Sequence, residues 1–463
     1  MKKVKAMVIL LVIISLPALS SLALAAKYTF IPRISIDSYY TDNINLSPDN
    51  KQDDIVTSIV PGFTAGVSGQ TAGINVTFDP GYTFYKNSDD ANYWRFNAGL
   101  NSFLDITQYT KLTVTDRFYL TQDPDPEFLI TDVRANEPGA SLDPTIRQGQ
   151  SQYWRNSATA RVDHEFGKDK TIFAEYRNVI LRNDNNVQYE DSDVNTGIAG
   201  VTYFFGPKWG TELEGTFSRR TYDQTGDFLG VPSSDQDVWG GRARLIRRFT
   251  QTTDGFLEYK YGNIKNTSDR IFSVQPGFGQ PTLVVNEDYT IHDVRVGADY
   301  AIEQDLLLSG NIGWAIKVND VTDNQDGLVG ELTLRKTLRR GGIRVGATAG
   351  YDVQGFNTTA QNLGLIRFYG ATITGDYQLF RKIYGDAFGG YRQNKYVDTL
   401  PERTQDLYTA GAGLTWQPFG WSAIRLGYSY RTSNSDIDSE EYTENRISLR
   451  LSLSTELPFR SLF

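Results

Sequence analysis

The sequence predicts an all-β protein: a single antiparallel transmembrane β-barrel of about 20 strands, or about 18, with short periplasmic turns and long extracellular loops. In the C-terminal run Asn445–Phe463, apolar residues from Ile447 to Leu453 alternate with polar residues from Ser448 to Ser454. A period of two places the apolar set on one face of a strand and the polar set on the other. Strand-like runs repeat this pattern along the chain, as is typical of a barrel with lipid outside and water inside.

The connections between these runs alternate between short and long, as periplasmic turns and extracellular loops do. The short connections are Gly69–Ala72, Thr107–Thr110, Gly167–Lys170, Gly206–Trp209, Thr250–Thr253, Glu303–Gln304, Arg339–Gly342, Phe380–Arg381 and Gln417–Gly420. The longer ones are rich in Asp, Asn, Gly and Pro, and include Asp42–Asp53, Asn87–Ala91, Asp123–Arg147, Thr225–Ser234, Thr267–Asn286, Gly355–Asn362, Tyr396–Glu402 and Ser433–Glu440. A closed barrel would leave no open strand edge in the lipid.

The first residues have the pattern of a secretory signal peptide. Lys2, Lys3 and Lys5 precede an apolar run, and Ala23–Ala25 fits a cleavage site with small residues. This apolar run is short for a membrane-spanning helix. The predicted organisation is therefore a signal peptide at residues 1–25 and an outer-membrane barrel at residues 26–463.

Composition agrees with this class and excludes others. The chain has 27 Tyr, 25 Phe and 42 Gly, which suit barrel strands, aromatic girdles and tight turns. It has no cysteine, which excludes disulfides and thiolate metal sites, and we predict no cofactor and no metal site. The net charge of −9 disfavours nucleic acid as a partner, because binding to phosphates requires an excess of Lys and Arg.

Two neighbouring runs carry the candidate functional residues. In Val238–Phe249 and Thr211–Tyr222 the charged residues lie on one face and the apolar residues on the other. The charged face must be the lumen, because Arg facing lipid at mid-depth costs about 2–4 kcal/mol. The candidate lumen residues are Arg242, Arg244, Arg248, Glu212, Glu214 and Arg220.

These residues have two interpretations. They could form cross-strand ion pairs that keep a hydrated wall rigid. Alternatively, Arg242, Arg244 and Arg248 could contact an anionic solute or an acidic polysaccharide in transit, because guanidinium groups bind carboxylates and phosphates in a bidentate manner. The sequence leaves both open.

Catalytic residues are not predicted. The two histidines, His164 and His292, fall at lipid-facing positions, and neither has a serine two residues after it. A lipid-modifying enzyme with a Ser–His pair on the outer wall is therefore disfavoured. Both histidines are expected to lie in the wall as interfacial residues.

The N-terminal segment resembles a known family. Ile34–Leu46 contains Thr-Asp-Asn-Ile, and Asp53–Phe63 contains Ile-Val-Pro-Gly after an acidic loop. Together they are similar to the opening of the putative β-barrel porin 2 family, in particular to outer-membrane barrels associated with exopolysaccharide and PEP-CTERM protein-sorting loci. The final strand, which ends on Phe463, is also similar to the terminal insertion signal of bacterial outer-membrane barrels.

The resemblance implies a non-enzymatic channel or assembly component that serves exopolysaccharide biosynthesis or export in the outer membrane of a Gram-negative bacterium. The implied partners are outer-membrane lipid and lipopolysaccharide, together with extracellular polysaccharide and its export machinery. It implies no catalytic residues. A general or substrate-specific nutrient porin is the first alternative, and a plugged barrel that acts as a surface protein is another.

Overall fold

A computed structural model describes residues 26–123, 149–184, 190–223, 234–267, 270–274, 282–319, 324–353, 365–397, 399–400 and 402–455. The predicted signal peptide at residues 1–25 and the terminal Phe463 lie outside this range, as do most of the predicted loop Asp123–Arg147 and parts of Thr267–Asn286. Within it, no helix is both long and apolar enough to cross a membrane. Helical structure there consists of the short 3-10 turns Asp89–Ala91 and Asp438–Glu440.

The strands occupy most of the described residues. They are β1 (Lys27–Thr41), β2 (Asp54–Ser68), β3 (Ala72–Tyr85), β4 (Tyr93–Thr107), β5 (Thr110–Thr121), β6 (Tyr153–Gly167), β7 (Lys170–Asn183), β8 (Asp191–Phe204), β9 (Trp209–Asp223), β10 (Gln236–Arg248), β11 (Thr253–Asn266), β12 (Arg270–Val274), β13 (Thr282–Asn286), β14 (Tyr289–Glu303), β15 (Leu306–Asn319), β16 (Gln325–Leu338), β17 (Gly341–Val353), β18 (Leu365–Phe380), β19 (Ile383–Tyr396), β20 (Thr399–Leu400), β21 (Arg403–Phe419), β22 (Ser422–Ser435) and β23 (Tyr442–Ser454).

Twenty of these strands form one closed antiparallel sheet, which confirms the predicted fold class and the count of about 20 strands. Each strand of this sheet pairs with the next one along the chain, and β23 pairs with β1 to complete the circle. The short strands β12, β13 and β20 form a separate small sheet. Closure satisfies the backbone of every wall strand within the sheet, as a lipid environment requires.

All predicted short connections are observed at one end of the barrel. For example, β10 ends at Arg248 and β11 begins at Thr253, while β16 ends at Leu338 and β17 begins at Gly341. The longer connections gather at the other end, as shown by the predicted loop Asp42–Asp53, which fills the gap between β1 and β2. Short turns mark the periplasmic end and long loops the extracellular end.

The two faces of the wall differ as the alternation predicts. On β10, Trp239 and Leu245 are exposed on the outside, and on β15 Ile312 is 57% exposed. Such large exposed apolar side chains, repeated strand after strand, define a lipid-facing surface. Two aromatic belts border this surface. The periplasmic belt includes Tyr109, Phe166, Phe205, Trp209, Phe249, Phe380, Phe419 and Trp421, and the extracellular belt includes Trp94, Trp239, Trp314 and Tyr408.

Both histidines lie on the outer face, at the positions that the sequence predicts. Nδ1 of His164 lies 2.9 Å from Oγ1 of Thr110, and Nδ1 of His292 lies 2.8 Å from the Tyr259 hydroxyl. Their nearest hydrogen-bonding side chains are thus a threonine and a tyrosine on neighbouring strands. Neither contact is the serine–histidine pair that acyl transfer requires.

Candidate lumen site

Strand register brings the candidate residues of β9 and β10 together. Arg242 lies opposite Glu214, and Arg244 lies opposite Glu212. On its other side, β10 pairs with β11, where Arg244 lies opposite Glu258. Because directly opposed residues point to the same face of a sheet, all these charges face the lumen next to one another.

Arg242 and Arg244 share the glutamates of the two flanking strands. Nη2 of Arg242 is 3.2 Å from Oε2 of Glu214 and 3.7 Å from Oε2 of Glu212. Nη1 of Arg244 is 3.6 Å from Oε2 of Glu212. Glu212 therefore lies between the two guanidinium groups and offsets their mutual repulsion.

Glu258 is the most buried member of this cluster. Its side chain is only 2% exposed, and its Oε2 accepts a hydrogen bond from Nε of Arg244 at 2.8 Å and lies 2.6 Å from Nη2 of the same arginine. Its Oε1 lies 3.0 Å from Nζ of Lys260, and Nη1 of Arg242 is 3.8 Å from Oε2. One carboxylate thus contacts three cations, which compensates for its burial.

We call these six residues the lumen cluster: Glu212, Glu214, Arg242, Arg244, Glu258 and Lys260. It contains equal numbers of acidic and basic groups. Arg242, Arg244, Glu212 and Glu214 are each 24–29% exposed, so the cluster borders the solvent inside the barrel. The arrangement can offer both hydrogen-bond donors and acceptors to a polar solute.

The structure separates two of the predicted residues from the cluster. Nη1 of Arg248 lies 3.1 Å from Oδ2 of Asp169, in the turn between β6 and β7, and its guanidinium stacks on Phe204 at 3.8 Å. Arg220 lies towards the extracellular end, where Nη1 is 3.4 Å from Oε1 of Gln236. Arg242, Arg244 and Arg248 therefore do not act as one group, although they share a face of β10.

Beside the cluster, phenylalanine rings lie over glycines of the neighbouring strands, which keeps the lumen wall thin there. The guanidinium of Arg244 lies 4.3 Å from the centre of the Phe256 ring. Phe256 lies over Gly297 of β14, where a Cβ would come within 2.2 Å of the ring. Phe173 covers Gly200 and Phe204 covers Gly210 in the same way. The rings thus lie flat against the wall, and arginine guanidinium groups stack on their lumen side.

Glycines elsewhere allow ion pairs to cross an intervening strand. Arg33 on β1 holds Asp79 on β3 through two hydrogen bonds of 2.8 and 2.7 Å, passing over Gly62 on β2. A Cβ at Gly62 would lie 1.9 Å from Oδ1 of Asp79. Arg425 and Asp386 are joined across Gly413 in the same manner. Sequence reasoning missed the pair Arg33–Asp79.

The extracellular end of the lumen is packed more closely than the lumen cluster. Glu444 on β23 is 2% exposed and contacts Arg431 at 2.6 Å, while Oγ1 of Thr41 donates to it at 2.8 Å. Arg446 lies 3.3 Å from the same carboxylate and stacks on the ring of Tyr39. At this place the wall next to the extracellular loops is therefore packed, whereas the lumen cluster borders solvent.

A closed barrel with an apolar outer face and a charged lumen is an outer-membrane β-barrel of the porin type. The model of the putative beta-barrel porin 2 family matches this chain at residues 25–134 and 339–455. The expected family is thereby confirmed. The lumen cluster lies between the two matched segments, so the match gives no information about it.

Solved structures with similar folds are outer-membrane proteins. The siderophore receptor PirA from Acinetobacter baumannii has a TM-score of 0.49 at 9% identity, with coverage of 91% of this chain and 80% of that one. The outer membrane protein opdK from Pseudomonas aeruginosa has a TM-score of 0.39 at 11% identity, with coverage of 92% and 99%. OccK2 (OpdF) from P. aeruginosa, in complex with glucuronate, has a TM-score of 0.43 at 9% identity, with coverage of 93% and 97%. These similarities concern the fold alone. No curated protein matches the sequence.

Proposed function

We propose that the protein is a non-enzymatic outer-membrane channel, or a channel-like assembly component, that serves exopolysaccharide biosynthesis or export. The signal peptide at residues 1–25 would direct it through the inner membrane and be removed there. Its partners would be the surrounding outer-membrane lipid and lipopolysaccharide, the polysaccharide and the export machinery.

One observation supports a transit path: the lumen cluster is charged and solvated. Arg242, Arg244, Glu212 and Glu214 each keep 24–29% of the side chain exposed while remaining ion-paired with one another. A sugar chain with carboxylate or phosphate groups could exchange contacts with Arg242 and Arg244, and its hydroxyl groups could do so with Glu212 and Glu214. The balance of charge favours weak, repeated contacts, which transport requires, over tight binding.

The same balance also suits the first alternative, a nutrient porin. Mixed charges select poorly among small polar solutes, and individual exposed ion pairs are weak. The two functions differ in the size of the solute that enters the barrel. A polysaccharide channel must admit an oligomer, whereas a nutrient porin needs to admit only a monomer.

The test is current block in a planar bilayer that contains the mature full-length barrel. We expect acidic oligosaccharides, such as oligouronates, to reduce the current at lower concentrations than neutral oligosaccharides of equal length. The double variant Arg242→Gln/Arg244→Gln should abolish this difference, because the three carboxylates of the cluster then face the cargo with Lys260 as their one remaining cation.

Three results are decisive. Block by oligomers that depends on Arg242 and Arg244 supports the polysaccharide path. Passage of monosaccharides without any block by oligomers supports the nutrient porin instead. A barrel that conducts no current contradicts both and favours a plugged surface protein.

A further inference from the structure

The outer wall carries an apolar groove that the channel function does not use. Its volume is about 540 Å³, and it crosses β8 to β11 on the lipid-facing side. Gly215 and Gly241, which pair across β9 and β10, form its floor, and Leu213, Tyr259 and Tyr261 are among its walls. A Cβ at Gly215 would meet no atom within 4 Å, so the floor is open to an occupant.

An aromatic pair borders the groove on its extracellular side. The rings of Phe217 on β9 and Trp239 on β10 lie 4.3 Å apart, and Trp239 belongs to the extracellular belt. Such belts lie where the hydrocarbon of the membrane meets the lipid headgroups. The groove runs from Gly215 and Gly241, near mid-depth, towards Ile172 and Leu213 near the periplasmic turns. Its upper edge lies directly below the aromatic pair, so an acyl chain of the outer leaflet can enter the groove from that edge.

Two cations lie just beyond this aromatic pair. Arg219 follows Phe217 by two positions on β9, and Lys265 is on β11; both lie opposite Asp237 of β10. Both point outward and are exposed. Arg219 lies four positions after Gly215 on β9, a distance of about 13 Å along the strand.

These cations differ from other outward-facing ones near this end of the barrel. Arg182 is paired with Asp193 at 2.6 Å, and Lys395 is paired with Glu402 at 2.5 Å. Within the described part of the chain, Arg219 and Lys265 have no such partner within 4.0 Å, even though Asp237 lies between their strands. With Asp237 between them, the two cations leave an excess positive charge at headgroup level, which attracts phosphate.

We propose that this face binds one phosphate-bearing, acylated lipid of the outer leaflet. Arg219 and Lys265 hold its phosphate, Trp239 packs against the sugar or glycerol region, and an acyl chain lies in the groove over Gly215 and Gly241. The charge of the headgroup complements the two cations, and the length of the lipid matches the order of cation, aromatic pair and groove along the strands. This proposal is independent of the solute that passes through the lumen.

The test is a titration of the detergent-purified full-length barrel with lipopolysaccharide and with its dephosphorylated form, followed by native mass spectrometry. We expect the wild type to bind lipopolysaccharide more tightly than the dephosphorylated form. Arg219→Gln/Lys265→Gln should weaken binding of lipopolysaccharide about 30-fold, since two cations at the lipid surface are removed. Lys395→Gln, an outward cation that already has a partner, should bind as the wild type does.

Filling the groove tests the acyl chain separately. Gly215→Leu should weaken the binding of both forms of the lipid, whereas Ala412→Leu, on the exposed outer face of β21, should weaken neither. The glutamine pair leaves the packing of the wall unchanged, so the proposal remains testable if Gly215→Leu does not fold.

Three outcomes would overturn the proposal. The first is equal lipopolysaccharide affinity in the wild type, the glutamine pair and the groove variant. The second is full competition by inorganic phosphate, which would make the face a general anion site. The third is self-association of the wild type without lipid that Gly215→Leu abolishes, which would make the groove a contact between two copies of the chain.

Discussion

Replacing Glu258 by glutamine is expected to lower the free energy of unfolding of the barrel by about 3–5 kcal/mol. The carboxylate is 2% exposed and contacts Arg244, Arg242 and Lys260. Its loss leaves three neighbouring cations on a confined wall with only the more exposed Glu212 and Glu214 to compensate them. Reversible unfolding by urea in lipid vesicles measures the change.

Glu214→Gln is the matched control, because it removes the same charge from the same cluster. Glu214 is 28% exposed, and its ion pair is with Arg242 at 3.2 Å. Solvent screens such a pair, so we expect a loss of about 1 kcal/mol or less. Equal losses for the two variants would show that burial and the number of contacts at Glu258 have no energetic consequence.

Replacing Ile312 by arginine is expected to destabilise the barrel by about 2–4 kcal/mol, because the charge then faces lipid near the centre of the membrane. Ile312 is 57% exposed on the outer face of β15 and lies six positions from the periplasmic end of that strand at Leu306. The yield of folded barrel in vesicles and the urea midpoint should both fall.

Leu245→Arg serves as the control for depth. Leu245 faces lipid, but it lies only three positions before the end of β10 at Arg248. The outward Arg247 nearby already stacks on Trp209 and Phe249 of the periplasmic belt. A new arginine can extend to the same interface, so we expect a cost of about 0–1 kcal/mol. A cost equal to that of Ile312→Arg would contradict this assignment of depth.

Much of the fold could be predicted because one physical rule acts on every strand. Alternation separates lipid-facing from lumen-facing residues, and Trp239, Leu245 and Arg242 lie on the faces that it assigns. Tight turns need Gly, Asn, Asp or paired Thr residues, so the periplasmic ends were also predictable. Neither inference depends on which strands are neighbours.

The contacts of the candidate site were only partly predictable. The short turn Thr250–Thr253 fixes the register of β10 and β11, so the pairing of Arg244 with Glu258 could have been deduced from the sequence. The pairing of Arg242 with Glu214 could not, because a long loop joins β9 and β10 and leaves their register free. Arg33 and Asp79 meet across β2, and no rule for adjacent strands brings them together.

In the proposed function, the lumen cluster lines an open path through the outer membrane. The reversal potential across a planar bilayer under a salt gradient tests it most directly, using the mature barrel, the variant Arg242→Gln/Arg244→Gln, and Arg248→Gln as a control at the periplasmic turn. The double variant leaves Glu212, Glu214 and Glu258 with Lys260 as the one cation of the cluster, so its reversal potential should move clearly towards cation selectivity. Arg248→Gln should move it less, since Arg248 pairs with Asp169 outside the cluster. A barrel that does not conduct, or a double variant with the reversal potential of the wild type, would contradict the claim.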